Sequence, residues 1–141
     1  MNPILKKLRL TSGKAVLILN SPDNFLQLLK DNGIEAHVEV EDYYDYVQFF
    51  AESLDEAEEL ISEAMNAVET DGDVWFCYPK SSAELNDKSV FKMLSEYDLS
   101  GVAKVPLNDE WVALRISNSE EDTNDDFEQE KGGKFRGGYD E

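Results

Sequence analysis

"SGKAVLILNSPDNF", residues 12–25, is the stretch whose reading decides the fold. Its first half, Lys14 to Asn20, is a near-continuous apolar run, the pattern of a strand buried on both faces. Its second half starts a helix. Ser21 stands at a capping position, Pro22 at the first helical position and Asp23 in the first turn. Phe25, Leu26, Leu28 and Leu29 then supply a buried stripe, and Gly33 fits the position just past the end. In many α/β proteins a glycine-rich loop at such a junction lets the backbone close on a nucleotide. Here the junction is Asn20-Ser21-Pro22-Asp23, with no glycine.

Working outward, "PILKKLRL" (3–10) reads as a short leading helix. "IEAHVEVE" (34–41) alternates as a second strand, with Ala36, Val38 and Val40 on one face. "YDYVQFFA" (44–51) is a third strand. The link between these two runs is too short for a crossover helix, so they either form a hairpin or lie on opposite sides of the first strand, the second being favoured. Ser53 and Glu56 have capping-box spacing before a helix with Ala57, Leu60, Ile61, Ala64 and Val68 on one face. "GDVWFCYPK" (72–80) is a fourth strand. Asn86 or Asp87 caps a third amphipathic helix carrying Val90, Phe91, Leu94 and Tyr97. "GVAKVPL" (101–107) and "EWVALRIS" (110–117) are joined by Asn108-Asp109, short enough for an antiparallel hairpin. The alternation predicts a three-layer α/β fold of Rossmann-like type: a mostly parallel sheet of about six strands, closed by a C-terminal antiparallel hairpin.

The 141 residues suit one domain. The pattern stops near residue 118, so 1–118 is the expected domain and 119–141 an acidic, disordered tail. The chain carries 31 Asp/Glu against 13 Lys/Arg, a net −18. From Asn118 onward there are nine acids and three bases, so the preceding part is itself strongly acidic. Such a surface repels phosphate backbones and anionic lipid, which counts against nucleic-acid and membrane partners. The tail's single "FRGGY" has the look of an RNA-binding segment, but one copy in an acidic tail reads as solvated chain. With no signal-like or membrane-spanning run, the cytoplasm is the expected compartment. One cysteine, Cys77, forms neither an intrachain disulfide nor a cysteine-based zinc site, and lies in an apolar run as a small buried hydrophobe.

Candidate chemistry is sparse. Ligands of open α/β sheets bind beyond the carboxyl ends of strands, and helix N-termini favour anions. Lys80, Ser81, Ser82, Asn86 and Asp87 follow a strand and precede a helix, and read as a small anion-tolerant site or as turn-formers and caps. Trp111 and Arg115 lie on one face of the last strand with Ala113. They either line a groove or pack and pair structurally. His37, the only histidine, faces outward on its strand with no evident partner. "EVEDYYDY" (39–46) clusters acids without calcium-loop spacing, so no metal is assigned. No Ser-His-Asp, HExxH or phosphate-loop pattern is present, and no residue is assigned a catalytic role.

"LKKLRLTSGKAVLILN" (5–20) resembles the entry of a class I methyltransferase-like Rossmann domain: a helix, a turn with glycine, then the first strand. "YDYVQFFAESLDEAEELISEAMNAVETDGDVWFCYPK" (44–80) and the closing "GVAKVPLNDEWVALRIS" (101–117) continue the likeness over residues 4–117. The strings "YPKSSAELND" (78–87) and "NDEWVALRI" (108–116) are similar to an uncharacterised bacterial family of reduced methyltransferase-like domains. The resemblance implies a cofactor crevice after the first strand, bordered by Asn20 and Ser21, with Glu39 and Glu41 near the place of the ribose-binding acid. The absent glycines, Pro22, and a missing helix and strand between the second and third runs count against S-adenosylmethionine, so no cofactor is assigned. The expected function is a binding or interaction module for an unknown small ligand or protein partner, without evident catalysis. The alternatives are a divergent enzyme binding S-adenosylmethionine or another nucleotide, and an acidic regulatory protein acting through its tail.

Overall fold

The structure, a computed structural model, describes residues 2–118. The chain runs α1 (Pro3–Lys7), β1 (Val16–Leu19), α2 (Asp23–Asp31), β2 (Tyr44–Phe50), α3 (Leu54–Ala67), β3 (Val68–Pro79), α4 (Asp87–Glu96), β4 (Leu99–Pro106), β5 (Trp111–Asn118). The sheet order is β1-β2-β3-β5-β4. β1, β2 and β3 are parallel, β5 is antiparallel to β3, and β4 is antiparallel to β5. The tail expected from 119 onward lies outside the described residues. Among the described residues no helix is long and apolar enough to cross a membrane.

Alternation along the strands sends successive side chains to two cores. One face carries Leu17, Val47, Phe49, Phe76, Val112 and Leu114 against Ala57, Ile61 and Ala64 of α3 and Val90, Met93 and Leu94 of α4. The other carries Val16, Ile18, Phe50, Trp75 and Ala113 against Leu5 of α1 and Phe25 and Leu29 of α2. All four residues of β1 are buried, as its unbroken apolar run requires.

The sheet has five strands, one fewer than the sequence predicts. The missing one is 34–41. It makes a single parallel bridge, in which the His37 N–H donates to Val16 O and the Ile18 N–H to His37 O, both at 2.9 Å. This bridge occupies the edge of β1 away from β2. The alternating face that argued for a strand has no core beneath it: Val38 and Val40 are 54% and 43% exposed. The chain must also return to begin β2 at Tyr44, and the Tyr44 hydroxyl holds that return. It lies 2.6 Å from His37 Nδ1 and accepts the Glu41 N–H at 3.0 Å.

Three local readings shift. The N-cap of α2 is Pro22, which has no side chain to cap with, while Ser21 Oγ donates to Pro22 O at 2.8 Å instead of accepting a helix amide. Val68 leaves the face of α3 and opens β3, because its φ of −87° and ψ of 142° are already extended. Tyr97 ends α4 as its C-cap and is 37% exposed. The end of α2 is as expected. Gly33, at φ +75°, donates to Lys30 O and Ile34 to Leu29 O, the paired bonds of a Schellman turn. Gly72 is fixed by proximity, since a Cβ there would lie 2.9 Å from Asp45 O.

Inside the α1/α2 face sits the buried polar side chain Gln48. Tyr46 donates its hydroxyl to Gln48 Oε1 at 2.6 Å, and Gln48 Nε2 donates to Cys77 Sγ at 3.3 Å. Burial pushes the Cys77 thiol and the Tyr46 phenol upward, so both hold their protons at neutral pH. Trp75 Nε1, in register with Gln48, is buried with no hydrogen-bond partner among the described residues.

Candidate functional site

Each of the three parallel strands leads into a helix at its carboxyl end, and the junctions after β1 and β3 differ. The first follows β1. Asn20 takes a left-handed φ of +58°, a conformation that asparagine tolerates, and its Nδ2 donates to Phe50 O at 2.7 Å. That bond ties the carboxyl ends of β1 and β2 together. Phe50 itself is buried. The Phe25 ring lies 5.4 Å from it and the Trp111 ring meets it edge-on at 5.0 Å. The Asn20 amide and the Ser21 hydroxyl therefore each bond a backbone carbonyl. Glu41 is engaged elsewhere: its amide binds the Tyr44 hydroxyl, and its carboxylate lies 4.0 Å from His37 Nδ1. The implied cofactor set of Asn20, Ser21 and Glu41 is not brought together. The glycines that the resemblance implies for a backbone cradle are absent from Asn20–Asp23, and the Asn20 amide and Ser21 hydroxyl are bonded to backbone carbonyls.

The second junction follows β3 and is open. A groove of about 610 Å³ lies between the end of β3, the start of α4 and the β4–β5 pair, lined by Tyr78, Lys80, Ser82, Leu85, Asn86, Asp87, Lys88, Lys104, Pro106 and Val112. Strand register builds its floor, since Tyr78 pairs with Val112 and Val112 with Pro106 across three strands. The Lys80 amide donates to Glu110 O at 2.8 Å, which fixes where the chain leaves the sheet. Asn108 Oδ1 accepts the amides of Glu110 and Trp111 and shapes the β4–β5 link.

The charged groups converge on Asp87. Lys104 Nζ lies 2.7 Å from Asp87 Oδ1, and the Tyr78 hydroxyl donates to the same oxygen at 3.4 Å. Burial, then the Asp87 charge and the bond to it, raise the Tyr78 pKa far above the ordinary phenol range, so Tyr78 is a fixed proton donor. Lys80 and Lys88 have no ion-pair partner among the described residues. Three lysines against one aspartate make a locally cationic groove in a chain of net charge −18.

Of the sequence-predicted set, the structure brings Lys80, Ser82, Asn86 and Asp87 to this groove. Ser82 and Asn86 also do the structural work that was the alternative reading. Ser82 Oγ accepts the Leu85 amide, and Asn86 forms a reciprocal capping box with Ser89. Ser81 is an exposed turn residue outside the lining. Trp111 and Arg115 share the face of Ala113, on the opposite side of the sheet from Val112, and Trp111 joins the aromatic packing around Phe50. Sequence reasoning missed Lys104, Lys88 and Tyr78. The signal for Lys104 was its spacing of two from Pro106, which puts both on one face of β4. Among the described residues no three His, Cys, Asp or Glu side chains converge as metal ligands.

Solved structures share this architecture. A ribosomal protein L11 methylase from Lactobacillus delbrueckii subsp. bulgaricus matches at 13% identity with a TM-score of 0.57, over 82% of this chain and 74% of its own. The fold is methyltransferase-like. The DhpI–SAH complex matches at 12% identity and TM-score 0.51, over 74% and 76% of the two chains. A methyltransferase from Pyrococcus furiosus matches at 14% identity and TM-score 0.50, over 80% and 78%. At these identities the likeness is one of fold. No protein-family model matches the chain, and no curated protein matches it.

Proposed function

We propose that this chain binds a small anionic ligand in the groove beyond β3, on a methyltransferase-like frame. The observation that carries the reading is the gathering of Lys80, Lys88 and Lys104 around one pocket in a strongly acidic protein. Lysine is a mobile point charge suited to a phosphate or carboxylate group. Tyr78 supplies a proton donor, Asp87 an acceptor, and Leu85, Pro106 and Val112 an apolar wall, so the fitting ligand pairs an anionic group with a hydroxyl or amine and a small apolar part. No base or nucleophile stands in the groove with a partner that would activate it, so the role proposed is binding. The acidic remainder of the surface supports a small-molecule or protein partner in the cytoplasm over nucleic acid or lipid.

Isothermal titration with a panel of small phosphate monoesters and dicarboxylates tests this. Binding should be micromolar at low salt, weaken as salt is raised, and fall at least tenfold in K80Q/K104Q. No heat with any member up to millimolar concentration would refute it.

A second reading has its own support. Two of the fold neighbours are a methylase and a methyltransferase, and the DhpI structure is a complex with SAH. They favour a divergent enzyme binding S-adenosylmethionine or another nucleotide over a module without chemistry. Micromolar heat with S-adenosylmethionine that survives K80Q/K104Q would establish that reading in place of ours. The third reading, regulation through the tail, falls on residues outside the described ones.

A further inference from the structure

One surface patch has no role in either reading. Val38, Val40 and Tyr43 are 54%, 43% and 61% exposed within six residues, and Tyr97 is the only other exposed large hydrophobe among the described residues. Scattered exposed side chains are ordinary, but a cluster in one irregular segment marks an interaction surface. Glu35, Glu39, Glu41, Asp42 and Asp45 surround it, all exposed. A fitting occupant combines positive charge with an aromatic or aliphatic anchor.

This chain contains such a segment. Residues 120–130 hold seven Asp/Glu and no base, but residues 131–139, "KGGKFRGGY", hold Lys131, Lys134 and Arg136 with Phe135 and Tyr139 and no acid. It is the one stretch of the chain beyond Asn118 whose charge is opposite to the patch. We infer that residues 131–139 dock on the Val38–Val40–Tyr43 patch of the same molecule.

The geometry allows it. Ile116 pairs with Val74, and Asp73 pairs with Tyr46, so the end of β5 stands at the same end of the sheet as the start of β2. β5, β3, β2 and β1 are successive neighbours in the sheet, a separation of about 15 Å from β5 to β1 at ~4.8 Å per strand. The twelve residues 119–130 can span up to about 40 Å when extended. The lysine groove is the competing attractor for the acidic run 120–130. It lies at the opposite, carboxyl end of the parallel strands, so a label on the basic segment distinguishes the two.

The test uses the full chain with Gly133→Cys carrying a nitroxide label. Cys77 is fully buried, so the label attaches at residue 133 alone. In amide NMR spectra at low salt, Val38, Val40 and Tyr43 should lose at least about half their intensity relative to α4. The loss should be independent of protein concentration and should disappear in K131E/K134E/R136E. Equal intensities across the domain, broadening centred on Lys80 to Lys88, or broadening that grows with concentration (docking on a second copy) would each overturn the inference.

Discussion

The turn after β1 and the turn after β3 occupy equivalent places in the fold, each leading from a parallel strand into a helix at the carboxyl end of the sheet. At the first, Asn20 bonds Phe50 O, and the rings of Phe25 and Trp111 pack on Phe50, one tilted and one edge-on. The second is open, with three lysines around a groove of about 610 Å³. The difference teaches that a strand–helix junction serves two separable tasks, starting the helix and receiving a ligand. Pro22 and Asp23 still start α2 well, whereas the residues from Lys80 to Asp87 both start α4 and leave polar groups facing an open space.

The largest effect should come from breaking the ring packing at the first junction. Phe50→Ala removes a ring that is 1% exposed and contacts two aromatic neighbours, so urea denaturation should show a loss of about 3–5 kcal/mol. A loss under about 1 kcal/mol would mean the junction is a loosely filled pocket and would erase the contrast with β3. Raising the pH should act next. Tyr46, Cys77 and Tyr78 hold their protons more tightly folded than unfolded, so their contribution is fully present below their unfolded pKa values. Stability should therefore be flat near neutrality and fall above about pH 9, by up to about 1.4 kcal/mol per pH unit for each group. In Cys77→Ala the fall between pH 9 and 10 should be shallower.

Asn20→Ala loses the bond to Phe50 O and forces alanine to φ +58°, for a cost of about 2 kcal/mol; Asn20→Gly, which accepts that φ, should cost about half as much. Neither variant should gain affinity for S-adenosylmethionine if the aromatic packing is what closes the junction. Lys104→Gln breaks a largely exposed pair with Asp87, so its effect on stability should stay within about 1 kcal/mol while ligand affinity falls severalfold. The smallest effect is expected for Trp75→Phe. It removes a buried N–H that has no partner, so the change should be within about 0.5 kcal/mol and can be stabilising.

Legibility from sequence followed the strength of the local pattern. The runs at Val16–Leu19 and Val74–Tyr78 are apolar on both faces and read as strands covered on both sides. The segment 34–41 was misread because alternation of Ala36, Val38 and Val40 is the same whether or not a core lies beneath it. Only the three-dimensional return to Tyr44 decides that, through contacts of His37 and Glu41 with the Tyr44 hydroxyl. The candidate site was half legible. Lys80, Ser82, Asn86 and Asp87 are neighbours in sequence, so one turn and one cap were enough to collect them. Lys104 reaches Asp87 across 17 residues, and Tyr78 joins Pro106 only through the β3–β5–β4 register, which no local signal carries. Trp111 and Arg115 were placed on the correct strand and face, but that face turns away from the groove.

The central claim is that a ligand enters beyond β3 and not beyond β1. The most direct measurement is an amide NMR titration of the full chain with the tightest anion from the calorimetric panel and, separately, with S-adenosylmethionine. The account predicts that the anion shifts Lys80, Ser82, Asp87, Lys88 and Lys104 while residues 18–23 stay still, and that S-adenosylmethionine shifts neither set at micromolar concentration. Shifts centred on Leu19, Asn20 and Ser21 with either ligand would contradict it.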